Sequence, residues 1–445
     1  MSKKLLLAAT TAAILNVSPA FAASDADIKA LQAEIAAMKQ NYETKIDGLE
    51  KRLKDMESAQ ATQAAAVQPA AGSAPQTQSS DNAFNPAIGV VLNGHYAAFS
   101  NDEPDIAGFG VGEEGGRAGE GFALDEAELN FSANVDDKFA GKLTASLSEE
   151  DGETEVELEE AYIETTALPG GLNLRAGRSL QPIGYLNEHH EHTDDFADRP
   201  LPNRVFLNNA YKDDGITASW VLPTDWYTEV GAALNRGNDF PGGGSDGADF
   251  GSWLAYARTG GDIGDNASWL FGLSTVQARP GERSANDDTV LFHGDSNLYA
   301  ASLRMTWAPT GNNVDQEVSL QGEYFRRSED GTYEDTDAGT GAVAYDDHQD
   351  GWYAQSVYKF APQWRAGLRY SELEPGDVPA GLLGSALDSE GHNPWNLALM
   401  GDWSNSEFSR VRVQYGHEEP SSGHNDDQIL VQYIMSLGAH PAHTY

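Results

Sequence analysis

Residues 351–373 alternate between apolar and polar side chains along two arms of about ten residues. In the first arm Trp352, Tyr358 and Phe360 share one face, and Ala361-Pro362 then reverses the chain. Alternation with period 2, reversed by a short turn, predicts an antiparallel hairpin with one apolar and one polar face. A tilted strand of roughly 9–11 residues is long enough to cross a bilayer. A soluble sandwich would show the same alternation, so its recurrence along the chain decides between the two.

The alternating unit recurs throughout the chain after Phe84. The predicted strands span residues 87–99, 122–135, 139–148, 155–166, 172–180, 214–222, 226–236, 251–259, 266–277, 297–307, 315–326, 351–360, 363–373, 394–403, 407–417 and 427–437. Their connections alternate between short turns and mostly long segments, which is typical of an outer-membrane barrel. The sequence therefore predicts an all-β transmembrane barrel of about 16 antiparallel strands over residues 84–445.

Tryptophan placement agrees with a membrane barrel. Aromatic residues collect at both membrane–water interfaces, and all nine tryptophans fall at the ends of predicted strands. One group borders the short turns: Trp220, Trp226, Trp269, Trp307, Trp364 and Trp403. The other group lies at the opposite strand ends: Trp253, Trp352 and Trp395. The sequence thus predicts two aromatic belts, with outer-membrane lipid and lipopolysaccharide around them.

Three segments precede the barrel. Residues 1–22 have the charge, apolar stretch and A-x-A site of a secretory signal peptide. Residues 23–58 carry apolar side chains at alternating three- and four-residue spacing with one stutter, which predicts a periplasmic coiled coil and a homotrimer. A helix packed on its own domain is the alternative. Residues 59–83 form a low-complexity linker rich in Ala, Gln, Ser and Pro.

The composition and the absence of known motifs argue against several classes of function. The chain of 445 residues has a formal net charge of −41 and no cysteine. Nucleic acid is an unsuitable partner, because binding phosphates requires Lys and Arg. The acidity favours cations, although it also serves solubility. No motif of hydrolases, zinc proteases or phosphate-binding loops is present, and we predict that the protein is not an enzyme.

The polar face of the strands predicts the lining of the lumen. A barrel of about sixteen strands is too wide to be filled by strand side chains alone and leaves a water channel. The candidate pore-lining residues are Arg304, Glu317, Gln321, Glu323, Arg365, Arg369, Arg410, Arg412, Glu126 and Glu128. Carboxylates on early strands and arginines on late strands would create a transverse field across the pore. Alternatively, these charges pair between neighbouring strands and stabilise the wall.

The longest connection, residues 181–213, is the candidate to fold inward and narrow the pore. It contains Glu188, His189, His190 and His192. Imidazole and carboxylate together suit Zn²⁺ or Cu²⁺, so these four residues are the candidate metal ligands. Zn²⁺ or Ca²⁺ at acidic extracellular loops is the corresponding cofactor expectation. A solvated acidic loop without metal is the alternative.

The order of a signal peptide, coiled coil, linker and sixteen-stranded barrel resembles the trimeric porins of Gram-negative bacteria that carry periplasmic coiled coils. The run LRAGRSLQPIGYLN, with Gly177, Pro182 and Gly184, is similar to a G-x-x-x-x-P-x-G run in their phosphate-selective members. The stretches AFNPAIGVVLNG, DGETEVELEEAYIETTALPGGLNLRAGR and QYIMSLGAHPAHTY more closely resemble proteins labelled zinc-regulated TonB-dependent outer-membrane receptors. That resemblance implies uptake across the outer membrane, with zinc as a candidate solute.

Two features depart from these families. The residues ahead of Phe84 are too few for the globular plug of a TonB-dependent receptor, whose barrel has about 22 strands. From Phe84 onward there are 20 basic residues and 60 acidic ones, whereas phosphate selectivity would need a ladder of Lys and Arg.

The sequence therefore predicts an outer-membrane porin for diffusion of small hydrophilic solutes, with a preference for cations. A specific channel for zinc or another divalent metal is one alternative. The other is a structural tether between the outer membrane and the cell wall through the coiled coil.

Overall fold

A computed structural model describes residues 86–101, 105–150, 153–243 and 250–438. The strands are β1 Ala87–Phe99, β2 Gly121–Asn134, β3 Phe139–Glu150, β4 Glu153–Thr165, β5 Leu172–Leu180, β6 Lys212–Val221, β7 Tyr227–Asn235, β8 Ser252–Asp262, β9 Ala267–Ala278, β10 Arg283–Ala285, β11 Val290–Trp307, β12 Glu317–Asp335, β13 Val343–Ala361, β14 Trp364–Glu374, β15 Trp395–Ser406, β16 Ser409–Ser421 and β17 His424–Gly438. The helix α1 spans Leu201–Leu207, and short 3-10 turns lie at Glu113–Gly115, Pro169–Gly171, Leu186–Glu188, Glu191–Thr193 and Ala380–Leu382. The predicted signal peptide, coiled coil and linker lie outside the described residues.

The strands close into a single antiparallel barrel. Apart from β10, each strand pairs with the next wall strand along the chain, and β1 pairs with β17 from Gly89↔Gly438 to Phe99↔Gln428. The short β10 pairs only with the long-loop end of β11, while β9 pairs directly with β11. Sixteen strands therefore form the wall and β10 is an extra strand, so the predicted fold class is confirmed.

Side chains alternate between the two faces of the wall as the sequence predicts. On β15, Leu399 is 49% exposed and faces outward, whereas its neighbour Ala398 is fully buried inside. Lipid on one face and a protein interior on the other require this alternation. Among the described residues, no helix has both the length and the apolar content needed to span a bilayer.

Two of the tryptophans show where the strands cross the apolar layer. Trp395 and Trp403 lie at opposite ends of the outward face of β15, roughly 26 Å apart along the strand at about 3.3 Å per residue. Trp352 lies within β13 rather than at its end, because β13 continues past the level of Trp395. The belt prediction for Trp352 was therefore wrong in its strand position.

Strands β11, β12 and β13 are longer than predicted. Residues assigned to loops at 278–296 and 327–350 are largely strand, and 418–426 is a tight hairpin between β16 and β17. The extended hairpins are stabilised by their own apolar cluster, which includes Phe292, Tyr333 and Tyr345. The outward residues of these extensions are mostly polar and do not follow the apolar alternation of a membrane-spanning strand. The sequence pattern therefore predicts a loop there, although the backbone is paired as strand.

The interior also differs from the prediction of a wholly polar, water-filled lumen. Residues 181–211, which we call the inward loop, enter the barrel and bury Ile183, Leu201 and the apolar face of α1. Inward side chains near the long-loop ends of several wall strands pack against them, among them Phe325 and Leu373. The long-loop half of the lumen therefore holds an apolar core, while the short-turn half keeps polar side chains.

Candidate functional site

Two β-bulges add carboxylates to the inner wall. In β2, Asn93 of β1 pairs with Glu126 and the next residue, Gly94, pairs with Leu124, so Asp125 is an extra residue. In β4, Thr144 pairs with Glu160 and Ala145 pairs with Leu158, so Glu159 is extra. A bulge re-aims the side chain at the extra residue. Consecutive acidic residues consequently face the lumen on both strands.

We call the resulting surface the acidic wall; it comprises Asp125, Glu126, Glu128, Glu157, Glu159 and Glu160. The pore-lining prediction included Glu126 and Glu128 of this wall but missed Glu159. The sequence does contain a signal of the bulge, because the outward apolar residues change from even-numbered to odd-numbered positions. Val156 and Leu158 face outward before the bulge, and Ala161 and Ile163 face outward after it.

Only part of the acidic wall is neutralised by cations of the barrel. Lys142 bonds to Glu160, Lys212 to Glu157, and His95 to Asp125. Among the described residues, no Lys or Arg forms an ion pair with Glu126, Glu128 or Glu159. These three carboxylates lie opposite the inward loop.

A second charged surface, the basic wall, consists of Arg365 and Arg369 on β14 and Arg410 and Arg412 on β16. The inward loop supplies its partners. Arg365 Nη1 donates to Asp195 at 2.7 Å, and Arg369 Nη2 donates to Asp198 at 2.6 Å.

The other two arginines of the basic wall bind the backbone of the inward loop. Arg410 donates to the carbonyl of His192 at 2.7 Å, and Arg412 donates to the carbonyls of Asp194 and Phe196. The predicted pairing between neighbouring strands occurs for Arg365 with Asp402, but the loop provides most of the compensation.

Glu323 of β12 anchors the start of the inward loop. Its buried carboxylate accepts the backbone N–H of Tyr185 at 2.8 Å and that of Leu186 at 3.0 Å, as well as the hydroxyl of Tyr353. Gly184 precedes these donors with a φ of +71°, and a Cβ there would lie 2.0 Å from Glu323 Oε2. The close approach of backbone and carboxylate thus requires glycine at this position.

The inward loop is also held together internally. Arg199 is buried and donates to Asp194 at 3.0 Å, to the carbonyl of Asn209 at 2.7 Å and to the carbonyl of His189 at 2.6 Å. One guanidinium therefore ties two turns of the loop to its return segment.

The structure separates the four predicted metal ligands into different environments. Glu188 accepts two hydrogen bonds from Arg258 of β8, at 2.7 and 2.8 Å. His189 bonds to the carbonyl of Tyr185 and its ring lies 4.6 Å from the Tyr185 ring. His190 and His192 instead face the acidic wall, with ring centroids 5.9 Å apart. The predicted set of four is thus not brought together as one group.

The acidic wall surrounds the two inward histidines. His190 Nε2 lies 2.8 Å from Glu160, and His190 Nδ1 lies 2.9 Å from Glu159. His192 Nδ1 lies 2.7 Å from Glu128. Two triads have potential ligand atoms within 4.8 Å of one another, Glu126–Glu128–His192 and Glu128–Glu159–His190.

Burial and charge act in opposite directions on the loop histidines. Burial disfavours the imidazolium of His190, but hydrogen bonds to Glu159 and Glu160 outweigh it and raise its pKa to about 10. Burial lowers the pKa of His189 to about 4. Neighbouring histidines of one loop therefore differ in charge at neutral pH in the metal-free protein.

All ten predicted pore-lining residues occupy inward positions. Arg304 Nη1 donates to Gln321 at 2.6 Å, and Glu317 lies at the short-turn end of β12. Arg175 and Glu164, which also face inward, form an ion pair at 3.1 Å with side chains 34% and 29% exposed. Because both point into the barrel, their exposed area faces solvent inside it.

Solved structures of outer-membrane proteins share this fold. The anion-selective porin from Comamonas acidovorans matches with a TM-score of 0.51 and 9% identity, covering 79% of this chain and 99% of that chain. The outer membrane channel DcaP of Acinetobacter baumannii matches with a TM-score of 0.51 and 11% identity, covering 79% and 96%. The trimer form of OmpT, an outer membrane protein of Vibrio cholerae, matches with a TM-score of 0.50 and 10% identity, covering 79% and 99%.

No family model matches the sequence. An uncharacterised protein of Aquifex aeolicus is 27% identical over 395 residues, which cover 82% of this chain and 81% of the relative. The comparisons thus agree with the structure on a porin-type β-barrel fold. The resemblance to TonB-dependent receptors stays a prediction.

Proposed function

We propose that this protein is an outer-membrane channel for small hydrophilic solutes and that it prefers cations. Charged side chains exposed inside the barrel support a channel. Inward-facing charged side chains such as Arg175, Glu164 and Arg258 remain partly exposed within a closed barrel. A cleft between the inward loop and the wall is lined by Pro182, Tyr185, Arg258, Ser274 and Ser302, among others.

The observation that carries the cation preference is the excess of acidic residues, 60 against 20 basic ones from Phe84 onward, part of which lines the lumen as the acidic wall. Asp195 and Asp198 of the inward loop compensate Arg365 and Arg369 of the basic wall. Glu126, Glu128 and Glu159 have no Lys or Arg partner among the described residues, and the cationic group beside Glu128 and Glu159 is His190 of the inward loop. A cleft lined predominantly by one sign of charge concentrates ions of the opposite sign. The anion-selective porin from Comamonas acidovorans has a similar fold, so the fold alone does not set the sign of ion selectivity. We therefore attribute the proposed cation preference of this protein to the charges in its lumen.

Bilayer recording tests both parts of the proposal. The purified protein in a planar bilayer is expected to show discrete conductance steps, and a KCl gradient should give a reversal potential of the sign for K⁺ over Cl⁻. A barrel that yields no steps at any tested voltage would refute the channel. Steps with a Cl⁻-selective reversal potential would refute the cation preference alone.

Removing the loop carboxylates should reduce the cation preference. In the double variant Asp195→Asn/Asp198→Asn, two negative charges are removed from the lumen, so that Arg369 loses its pair with Asp198 and Arg365 keeps only Asp402. We expect the reversal potential to move toward the Cl⁻ value. Asp225→Asn, in an exposed short turn, removes a charge outside the lumen and should leave the reversal potential unchanged. Equal shifts in the two variants would contradict the assignment.

We also propose a homotrimer in the outer membrane, in contact with lipid and lipopolysaccharide. The trimer form reported for OmpT of Vibrio cholerae and the outward apolar band support this assembly. Native mass spectrometry of the detergent-solubilised protein should give the mass of three chains. A single-chain mass in mild detergent would argue against it.

A further inference from the structure

The junction between the inward loop and the acidic wall contains potential ligand atoms without hydrogen-bond partners. Within the described residues, Glu128 Oε2, Glu159 Oε2 and His192 Nδ1 are buried and have no hydrogen bond of regular geometry; their short contacts are His192 Nδ1 with Glu128 Oε2 and His190 Nδ1 with Glu159 Oε2. Glu128 as a whole is 1% exposed. A buried carboxylate with an unsatisfied oxygen is costly unless a proton or a cation compensates it.

The types of these atoms suit a transition-metal cation, and their separations lie within about 0.7 Å of those in a tetrahedral zinc site, so small side-chain shifts would accommodate the ion. Ligands about 2.0–2.2 Å from Zn²⁺ in a tetrahedral arrangement lie about 3.4 Å from one another. The observed separations are 2.7 Å for His192 Nδ1 to Glu128, 2.9 Å for His190 Nδ1 to Glu159 and 3.5 Å for His190 Nδ1 to Glu128. Two imidazoles among carboxylates favour Zn²⁺ or a similar ion over Ca²⁺ and Mg²⁺, which take oxygen ligands.

The surroundings of His190 match those of a metal-bound histidine. Its Nε2 lies 2.8 Å from Glu160, and Glu160 is in turn bonded to Lys142. A ligating histidine commonly donates its second ring N–H to a carboxylate, which fixes the tautomer and directs the other nitrogen toward the metal. With Nε2–H donating to Glu160, Nδ1 is directed toward Glu128 and Glu159, and its lone pair would bind the metal once the ion displaces the Nδ1 proton.

We propose that a divalent transition-metal cation binds between the inward loop and the barrel wall, with His190, His192, Glu128 and Glu159 as its four ligands, Glu126 beside them and Glu160 as a positioning residue. The bulge at Glu159 is what brings its carboxylate into the site. Such an ion would fasten the inward loop to strands β2 and β4. The site does not depend on the proposed channel activity, since binding is measured in the absence of any conductance.

Metal binding by the purified full-length protein in detergent tests the proposal. After treatment with a chelator, titration with Co²⁺ should produce the visible d–d absorption of an imidazole-containing site, and Zn²⁺ should displace it. His190→Ala and His192→Ala should each weaken Zn²⁺ binding by roughly tenfold or more. Glu128→Gln keeps the side-chain volume and should have a similar effect.

His189→Ala is the matched control, because His189 belongs to the same loop but contacts Tyr185. It should leave Zn²⁺ affinity unchanged. Glu160→Gln should weaken binding by roughly tenfold while the Co²⁺ spectrum keeps its form, as expected for a positioning residue. All variants are first shown to be folded by their heat-modifiable mobility on gels.

Three results would overturn the proposal. One is the absence of a Co²⁺ spectrum. Another is an equal loss of affinity in His189→Ala and His192→Ala. The third is Ca²⁺ displacing Co²⁺ as effectively as Zn²⁺ does, which would indicate a general acidic surface.

Discussion

Replacing Glu323 by alanine is expected to raise the single-channel conductance by roughly twofold or more, because it removes the hydrogen bonds that hold the inward loop in the lumen. Hydrogen bonds to a charged group contribute about 1.5–3 kcal/mol each. Glu323 accepts the backbone N–H groups of Tyr185 and Leu186, and Tyr353 donates to it as well. Without this carboxylate, the first turn of the inward loop loses its attachment to β12. The loop should then leave its position in the lumen for part of the time.

Two measurements check the effect of Glu323. Single-channel recording reports the conductance, and limited proteolysis reports whether residues 181–190 become accessible. Glu317→Ala is the matched control, because Glu317 occupies the same strand and the same inward face at its short-turn end. Conductance and proteolysis indistinguishable between the two variants would mean that Glu323 does not hold the loop.

Two single-residue deletions are expected to have opposite effects on barrel assembly. Deleting Glu159 removes the extra residue of the bulge and leaves Leu158 facing outward and Glu160 facing inward, so β4 remains compatible with lipid. Deleting Gln321 from the regular strand β12 exchanges the faces of residues 317–320. Glu317 and Ser319 would then face lipid, and Val318 and Leu320 would face the lumen.

Refolding into detergent, followed by gel electrophoresis with and without boiling, distinguishes the outcomes. The Glu159 deletion should give the heat-modifiable band of a folded barrel, and the Gln321 deletion should not. Gln321→Ala is the control that distinguishes the loss of register from the loss of the side chain. It removes the hydrogen bonds to Arg304 and Tyr353 but keeps the number of residues in β12. A folded Gln321 deletion would show that β12 tolerates a change of register.

The boundaries of strands within the membrane could be predicted from sequence because lipid imposes a local rule. Leu399 and Ala398 are neighbours, and their opposite faces follow from period 2 alone. The rule fails outside the membrane. In the extended hairpin of β12 and β13, Tyr333 and Tyr345 pack on a cluster that no lipid contacts, so those residues were assigned to a loop.

The candidate site was only partly predictable from sequence, because two features that form it, the bulge in β4 and the path of the inward loop, depend on residues distant in the chain. The bulge at Glu159 depends on the register between β3 and β4, and its only trace in the sequence is a change of phase in the apolar residues. The loop histidines were recognised as candidate ligands, but nothing near them in sequence distinguishes His189 from His190. Their different environments arise from the direction in which the inward loop crosses the lumen.

The alternation of apolar and polar residues was sufficient to predict a barrel of sixteen strands and, on its regular strands, the face that meets lipid, because neighbouring residues on a strand must point in opposite directions. The occupancy of the lumen depends on the tertiary fold. Asp198 and Arg369 are 171 positions apart in the chain, and Glu323 binds backbone atoms 137 and 138 positions away. Such pairings depend on barrel closure and on the path of a loop, which local periodicity does not encode.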